Sequence, residues 1–424
     1  MDIGISRRTV LVAGAGAAAS LSLPGAAAYA SGRPTTSVGF RLDARVLDGG
    51  EQVTSVTLET ARLGPIDPAS LTTGTFTVHA KATSPIPIAP GDRIFSEYDL
   101  DRTVNAVRLD RGDIVLDLSY GEGQTGGGTL GYIVGKGRNV RLNLVYTISQ
   151  NAPINLRNGC SITISSFVQG RLSNPEVDAF SYGVSASGMK YRLYSPTGAD
   201  SGFTRRGRHP LVVWLHGGGE GGLLPDNYYD NETTLRANRG ALGFATPQAQ
   251  RIFSGAYVVA PQSTSYWIED GPRFAALIDE IIRDIVRRHP VDRTRIYVAG
   301  CSNGGYMTLK MTTVYPDLFA ASVPICGVVM PFRPGEPPLI SDAELIHINT
   351  PTWLVASLDD TTVPPQANTV HAHDLIPGSL ATLYEHVIWN GYQFLGHWSW
   401  IYVARNDPSI NGMHIWQWMA RQRR

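Results

Sequence analysis

The feature that most constrains this chain is Gly300-Cys301-Ser302-Asn303-Gly304, a Gly-x-Ser-x-Gly that directly follows an apolar run. Upstream, Arg295–Ala299 predicts a short buried parallel strand. Downstream, Tyr306–Met311 predicts the first turns of a helix that ends before Pro316. A nucleophile elbow requires such a sharp strand-to-helix turn, and its glycines leave room for a strained backbone. The segment therefore predicts that Ser302 is held clear of a sheet edge as a nucleophile.

Length and charge limit the classes of protein that this chain can represent. At 424 residues it predicts two domains, and with 43% hydrophobic and 17% charged residues it is globular. The 36 basic and 36 acidic residues give a formal charge of zero. Because no general attraction to polyanions is encoded, we expect neither nucleic acid nor an anionic membrane as a partner.

Residues 1–30 are set apart from the fold. They contain paired arginines within Ser6–Leu11, a mild apolar run over Val12–Leu23 and a small-x-small site at Ala28-Tyr29-Ala30, and they resemble a bacterial twin-arginine export signal. The apolar run is shorter than the roughly 20 residues of a bilayer span, so no permanent anchor is expected. Residues 14–19 also match a dinucleotide fingerprint, but no second strand with an acidic ribose ligand follows. The sequence therefore predicts a secreted protein.

Two regions with different periodicity follow this leader. Residues 35–168 alternate with period two between Gly and Pro turns, which predicts a β-sandwich. From about residue 180 to residue 424, strands alternate with helices, which predicts a mostly parallel sheet with helices on both faces. The candidate strands of the first region are Ser37–Leu42, Val53–Leu58, Thr75–His79, Asp113–Leu118, Val140–Ile148 and Ser161–Phe167. Those of the second include Lys190–Tyr194, Leu211–Leu215 and Tyr257–Ala260, followed by a helix with one apolar face from Phe274 to Ile285.

A glycine-rich loop, His216–Gly222, comes directly after the predicted strand Leu211–Leu215. Glycines expose backbone amides to a developing negative oxygen because no side chain blocks the approach. An amide of Gly218 or Gly219, together with the amide of Asn303, would form an oxyanion hole. The simpler alternative is a merely flexible loop. His216 is predicted to be structural, because the general base comes last in the chain in this topology.

The candidate acid and base follow the elbow in the sequence. The strand Thr352–Leu358 ends in Asp359 and Asp360, and a carboxylate at that edge is placed to orient a histidine. We favour Asp360 and keep Asp359 as the alternative.

His397 alone, among the five histidines that follow, lies in a loop after the last predicted strand, so we take it as the base. His371 and His373 could bind a metal, but no further ligand spacing accompanies them, and no metal or other cofactor is predicted.

The three cysteines allow at most one internal disulfide. Cys301 lies in the elbow and Cys326 follows the next predicted strand, so their ends could be close. A Cys301–Cys326 disulfide and two free buried thiols both remain open, and Cys160 is left over in either case.

Together these residues resemble the α/β-hydrolase superfamily, and more narrowly the secreted esterases of the prolyl-oligopeptidase-like group with an N-terminal immunoglobulin-like domain. The shared features are His216-Gly217-x-Gly219-Glu220-x-Gly222, Ala260-Pro261-Gln262, Gly300-x-Ser302-x-Gly304-Gly305, Asp360-x-x-Val363-Pro364 and His397-x-x-Trp400. The resemblance implies an α/β-hydrolase fold preceded by an immunoglobulin-like sandwich. It also implies ester hydrolysis through an acyl-enzyme, with Ser302 as nucleophile, His397 as base and Asp360 as its orienter.

Two other functions are weighed against a serine esterase. A peptidase of the same group would usually carry a large propeller, which about 135 residues of sandwich cannot build. A non-catalytic binding protein is disfavoured because every expected triad member is present. Trp267, Trp398 and Trp400 are predicted to line the cleft together with Tyr266 and to stack on a sugar or an aryl group, and simple packing in the core is the alternative for the tryptophans. Aryl esters, acyl sugars and polyesters all remain open as substrates. The sandwich is expected to shape substrate access or assembly, which leaves a homo-oligomer open.

Overall fold

The computed structural model describes residues 36–196, 207–222 and 228–424, which belong to one unit, Thr36–Arg424. The predicted export signal over residues 1–30 lies outside the described residues and remains a prediction. Within the described ranges, no helix is both long enough and apolar enough to cross a bilayer.

The N-terminal segment, residues 36–173, consists mainly of strands, with two short 3-10 helices at Ala61–Leu63 and Pro68–Ser70. Its strands are β1 (Ser37–Leu47), β2 (Gly50–Leu58), β3 (Phe76–Thr83), β4 (Ile94–Phe95), β5 (Tyr98–Arg102), β6 (Val104–Asp110), β7 (Asp113–Leu118), β8 (Leu130–Ile133), β9 (Arg138–Arg141), β10 (Asn143–Gln150), β11 (Ile154–Asn155), β12 (Ser161–Ile162) and β13 (Ser166–Ser173). They form a five-stranded sheet in the order β13-β1-β2-β7-β6 and three-stranded sheets β10-β3-β5 and β4-β8-β9.

The five-stranded sheet and the β10-β3-β5 sheet share one apolar core. Phe40 and Val56 come from the first sheet, and Phe76 and Val78 from the second, and all four are buried. The alternation of buried and less buried residues along β1 follows the period of a strand with one face in a core. The predicted two-layer β arrangement is therefore present, while its immunoglobulin-like identity stays a prediction.

Two predicted strands of this segment are divided in the structure. The run predicted as Val140–Ile148 breaks at Leu142 between β9 and β10, which lie in different sheets. The run predicted as Ser161–Phe167 is split between β12 and β13. Periodicity alone does not reveal such breaks, because a strand that passes from one sheet to another keeps its alternation.

The C-terminal segment, residues 180–424, alternates strands with helices as predicted. The strands of its main sheet are β14 (Phe180–Val184), β15 (Lys190–Tyr194), β16 (His209–Leu215), β17 (Tyr257–Pro261), β18 (Val291–Cys301), β19 (Ala321–Ile325), β20 (Trp353–Ser357) and β21 (Leu380–Tyr384). Two hairpins follow: β22 (Ile388–Trp389) with β23 (Tyr392–Gln393), and β24 (Ser409–Ile410) with β25 (Met413–His414). The α-helices of the described chain are α1 (Pro175–Asp178), α2 (Thr233–Arg236), α3 (Gly240–Ala245), α4 (Pro247–Phe253), α5 (Gly271–Arg288), α6 (Asn303–Val314), α7 (Asp342–Ile346), α8 (His371–Leu375), α9 (Trp400–Ala404) and α10 (Ile415–Arg421).

The main sheet has the order β14-β15-β17-β16-β18-β19-β20-β21 and is parallel from β17 to β21. Alternate residues of β16 enter opposite cores: Val213 packs with α5 and α6, and Trp214 packs with α3 and α10. Both faces of the sheet are thus covered, which is why its central strands are continuously apolar. Because parallel strands end at one edge, the loops after β18, β19 and β20 meet there.

Helix α5 shows how local sequence fixes one of these layers. The Asp270 carboxylate accepts a hydrogen bond from the backbone N–H of Arg273, and a proline lies in the first turn. The buried face that includes Phe274, Ile278 and Ile281 recurs at helical spacing and packs on the sheet, as the sequence predicted.

The N-terminal segment packs against the C-terminal segment through one buried and one partly buried ion pair. Glu51 of β2 pairs with Arg236 of α2, and the two side chains are 0% and 3% exposed. Asp48 pairs with Arg405 through two hydrogen bonds of 2.9 and 2.8 Å. Because a buried charge is costly without its partner, these pairs fix one arrangement of the two segments.

Candidate active site

Ser302 lies at the turn from β18 to α6, in a backbone conformation that L residues rarely adopt. Its φ is 55° and its ψ is −116°, and its N–H donates to the carbonyl of Ile325 at 2.8 Å. The strained turn between a strand and a helix has the geometry that the sequence predicted for a nucleophile elbow. Ser302 is partly exposed, and among the contacts of the described residues its hydroxyl makes no hydrogen bond to His397.

The glycines around Ser302 are required by close backbone packing. A Cβ on Gly300 would lie 2.5 Å from the carbonyl oxygen of Gly304, and one on Gly304 would overlap the carbonyl oxygen of Leu215. A Cβ on Gly305 would lie 2.6 Å from the Cα of Gly327. Only glycine lets the elbow fit this closely between its neighbouring strands.

His397 and Asp360 are joined by a short hydrogen bond at the same sheet edge. The His397 Nδ1 atom lies 2.7 Å from Asp360 Oδ2, and the side chains are 12% and 0% exposed. The other carboxylate oxygen accepts the backbone N–H groups of Thr362 and Val363, each at 2.9 Å. The carboxylate is therefore fixed in place and holds the imidazole in one orientation.

The structure separates the two adjacent aspartates that the sequence left open. Asp359 Oδ2 lies 2.9 Å from Nδ1 of His386, and the Ser357 hydroxyl donates to its other oxygen. Asp359 thus belongs to a different histidine, and Asp360 alone of the two reaches His397. His386 itself lies between β21 and β22.

Cys326 is an unpredicted neighbour of this pair. It follows β19, has a φ of 39° and is fully buried beside His397. Burial lowers the pKa of His397, whereas Cys326 and Asp360 raise it by more, so the pKa lies above its usual value of 6.5. The ring also meets Trp400 edge-on at a centroid distance of 5.6 Å, which restrains its rotation.

The glycine-rich loop turns back against the elbow. A Cβ on Gly218 would lie 3.9 Å from the Cβ of Asn303, whereas one on Gly219 would lie 3.0 Å from Nδ2 of Asn139 in β9. Asn303 is the first residue of α6, so its N–H has no acceptor within the helix. The structure therefore brings Gly218 and Asn303 together beside Ser302, while Gly219 faces the N-terminal segment.

Glu220, in the same loop, is a buried carboxyl that sequence reasoning missed as a site residue. Asn139 donates to its Oε1 at 3.1 Å, and its other oxygen lies close to Gly217. Burial raises the pKa of Glu220 to about 7. The loop is therefore held by a contact from the other segment and is more than a flexible connection.

Trp267 lies in the core and not in the cleft that it was predicted to line. It is 0% exposed and packs edge-on against Phe274. Its backbone N–H donates to Oδ1 of Asn303 at 2.7 Å, and its indole N–H donates to the carbonyl of His216 at 3.0 Å. The residue supports the elbow and the glycine-rich loop from behind and cannot contact a substrate.

The other two predicted tryptophans lie beside His397. Trp398 and Trp400 are partly exposed, with ring centroids 5.8 Å apart. A Cβ on Gly49 of the N-terminal segment would lie 3.6 Å from the Trp398 ring. These two rings thus extend from His397 towards the N-terminal segment.

His216 has the surroundings of a structural residue. It is fully buried, its Nδ1 bonds the carbonyl of Gly217 at 2.6 Å, and its Nε2 accepts the N–H of Ser263 at 3.0 Å. Burial lowers its pKa to about 4, so the ring is neutral. His371 and His373, weighed above as a metal pair, bond different partners, Asp342 and Ser379.

The three cysteines are free thiols, with Cys160 exposed and Cys301 and Cys326 buried. Of the two alternatives, the structure therefore has the free thiols and not the disulfide. Cys326 could have been found from sequence, since it follows an apolar strand at the edge that holds Ser302 and Asp360. The Glu220–Asn139 contact had no such signal, because it depends on how two segments dock.

Comparison with known proteins yields partial sequence matches and one extensive structural match. The sequence model of the Prolyl oligopeptidase family matches residues 279–332, which include the elbow. A poly(3-hydroxyalkanoate) depolymerase C from Paucimonas lemoignei is 36% identical over 131 residues, 28% of this chain and 28% of that protein. Acetylxylan esterase A from Emericella nidulans is 28% identical over 123 residues, 25% of this chain and 40% of that protein.

The crystal structure of a thermostable esterase superposes with a TM-score of 0.69 at 25% identity, covering 91% of this chain and 99% of that one. The fold of the C-terminal segment is therefore that of the α/β-hydrolases, as the sequence predicted. The chain spans only about two fifths or less of the length of the curated relatives it matches.

Proposed function

We propose that this protein is a secreted serine hydrolase of carboxylic esters that acts through an acyl-enzyme. The observation that carries the proposal is the 2.7 Å bond between Asp360 and His397 at the sheet edge where Ser302 occupies a strained elbow. This is the set of groups that acyl transfer needs, namely a nucleophile, a base and a residue that orients the base.

In the proposed reaction, Ser302 Oγ attacks the ester carbonyl while His397 accepts its proton. The bond between Ser302 and His397 forms as substrate enters, since catalytic hydrogen bonds tighten in the complex. Asp360 keeps the Nδ1 proton on the side away from the serine and stabilises the imidazolium. The alkoxide of the tetrahedral intermediate is stabilised by the backbone N–H groups of Asn303 and Gly218.

His397 then returns the proton to the leaving alcohol, and the acyl group stays on Ser302. Water attacks this acyl-enzyme with the same base, which releases the acid and restores the serine. We place Trp398 and Trp400 against the acyl or alcohol group, because they are the partly exposed aromatic residues beside His397.

Esters are favoured over peptides by the similar proteins and by the N-terminal segment. The matched relatives are described as an esterase and a depolymerase, which supports simple esters and polyesters as substrates. A peptidase is the second candidate because the Prolyl oligopeptidase family model matches around the elbow. Peptidases of the group that this chain resembles usually carry a large propeller, whereas the N-terminal segment of this chain has two packed sheets.

A substrate panel on purified protein tests this proposal. It compares short and long p-nitrophenyl esters, feruloyl esters, a polyester film and a prolyl amide, each with wild type and Ser302→Ala. We expect ester turnover that depends on Ser302. Serine-dependent cleavage of the amide without ester turnover would replace the esterase with a peptidase.

We further propose that residues 1–30 direct export by the twin-arginine route. Fusing residues 1–35 to a reporter should send it out of a bacterial host, and replacing Arg7 and Arg8 by lysine should retain it inside. Equal export of both fusions would contradict this proposal.

A further inference from the structure

Three side chains that can bind metal meet beside the proposed nucleophile. The Sγ of Cys326, a ring nitrogen of His397 and a carboxylate oxygen of Asp360 all lie within 4.8 Å of one another. They come from the ends of neighbouring elements, because β19 and β20 are adjacent in the sheet and the histidine loop folds over them. The thiol and the carboxylate are buried, and the imidazole is 12% exposed.

These ligand types suit a thiophilic divalent cation. Zinc binds thiolate, imidazole and carboxylate, and three protein ligands with one open position are a common zinc arrangement. Tetrahedral bonds of about 2.0–2.3 Å place ligand atoms about 3.3–3.6 Å apart. The Nδ1 and Oδ2 atoms of His397 and Asp360 are 2.7 Å apart, so these two atoms must separate by less than about 1 Å to share the ion. The Sγ atom of Cys326 lies within 4.8 Å of the ligand atoms of both residues, so it must approach them by no more than about 1.5 Å.

Charge balance favours such a site even though it is buried. A thiolate on Cys326 and the carboxylate of Asp360 neutralise a doubly charged cation, so no uncompensated charge remains in the interior. Mg²⁺ gains little here, because it prefers oxygen ligands and keeps much of its water.

We propose that Cys326, His397 and Asp360 form an inhibitory binding site for thiophilic divalent cations such as Zn²⁺ and Cd²⁺. Binding exchanges the thiol proton of Cys326, which passes to solvent, for a metal–sulfur bond. A cation on Nδ1 of His397 also shifts the ring proton from Nδ1 to Nε2. Because a protonated Nε2 cannot accept the proton of Ser302, turnover stops. The inhibition rests on the proposed function, whereas metal binding by these three residues does not.

The test uses cadmium ions as the probe and ultraviolet absorption as a readout that is independent of activity. Because Cys160 is an exposed thiol, all proteins carry Cys160→Ser. We expect a thiolate–cadmium absorption band that saturates at one ion per chain by calorimetry. Cys326→Ser and Cys326→Ala should weaken Cd²⁺ binding by more than about 100-fold, since each removes a direct ligand. Cys301→Ser is the matched control, because this thiol is equally buried but lies outside the cluster, and it should keep the band.

Thermal unfolding shows which variants are folded before they are compared. Zn²⁺ should inhibit ester hydrolysis over the same concentration range in which the band of its Cd²⁺ analogue saturates, while Mg²⁺ should not inhibit. The absence of a thiolate band, or a band that survives both Cys326 variants, would overturn the site. A thiolate–cadmium band in a protein without ester turnover would support the metal site and refute the proposed function. Ester turnover in a protein without the band would support the proposed function and refute the metal site.

Discussion

Replacement of the buried carboxyl Glu220 by glutamine should make the protein more stable, and only above acidic pH. Burial raises the pKa of Glu220 from 4.5 to about 7. Below pH 4.5 the carboxyl is protonated in both the folded and the unfolded chain, so its contribution to stability is fully present. That contribution is lost as the pH rises from 4.5 through 7, because only the unfolded chain ionises freely in this range. The pKa shift corresponds to a loss of about 3 kcal/mol in the free energy of unfolding at pH 8.

Glu220→Gln keeps the shape of the side chain but cannot ionise. The difference in free energy of unfolding between the variant and wild type should therefore rise by about 3 kcal/mol from pH 4 to pH 8. Urea titrations at several pH values measure this difference, and subtraction cancels the other titrating groups. Glu336→Gln is the control, because Glu336 is half exposed and pairs only loosely with Arg333 at 3.7 Å. If the free energies of unfolding of wild type and Glu220→Gln differ by the same amount at every pH, the reasoning is refuted.

Three further predictions concern turnover. Asp360→Asn should lower kcat by about 10⁴, because an amide favours the wrong imidazole tautomer, and Asp359→Asn should do far less; the reverse ranking would transfer the role. Asn139→Ala removes the 3.1 Å contact that holds Glu220 and should lower kcat about tenfold with little change in KM. An unchanged kcat would show that this contact does not position the glycine-rich loop. The proposed mechanism requires neutral His397, whose pKa is raised, so kcat/KM should increase as the pH rises above neutral. A value of kcat/KM that is already constant from pH 6 upwards would contradict this.

The elbow and the main sheet could be predicted from sequence because their constraints are local. Gly300 and Gly304 leave no room for a Cβ, and a strand followed at once by a helix fixes the turn at Ser302. The alternation of strand and helix after residue 180 predicted the parallel sheet. The position of Asp360 after its strand then gave the side of the sheet on which a histidine partner had to lie.

The features that sequence reasoning missed depend on contacts between remote parts of the chain. Trp267 is apolar and lies near the glycine-rich loop in sequence, so only the bonds to His216 and Asn303 show that it faces inward. The sequence does not distinguish Cys326 from an ordinary small apolar residue, and only its neighbours at the sheet edge show that it lies beside His397. The contact between Asn139 and Glu220 depends on docking of the two segments, which no local pattern encodes.

The central claim, that Ser302 is the nucleophile of an ester hydrolase, is tested most directly by covalent labelling. A fluorophosphonate reacts with activated serines, and mass spectrometry of the digested protein identifies the residue that carries it. We expect the label on the peptide that contains Ser302, loss of p-nitrophenyl butyrate hydrolysis in step with labelling, and a fall in turnover of about 10⁴ to 10⁶ for Ser302→Ala. Labelling of another residue, or a Ser302→Ala protein that keeps more than about a tenth of wild-type turnover, would contradict the account.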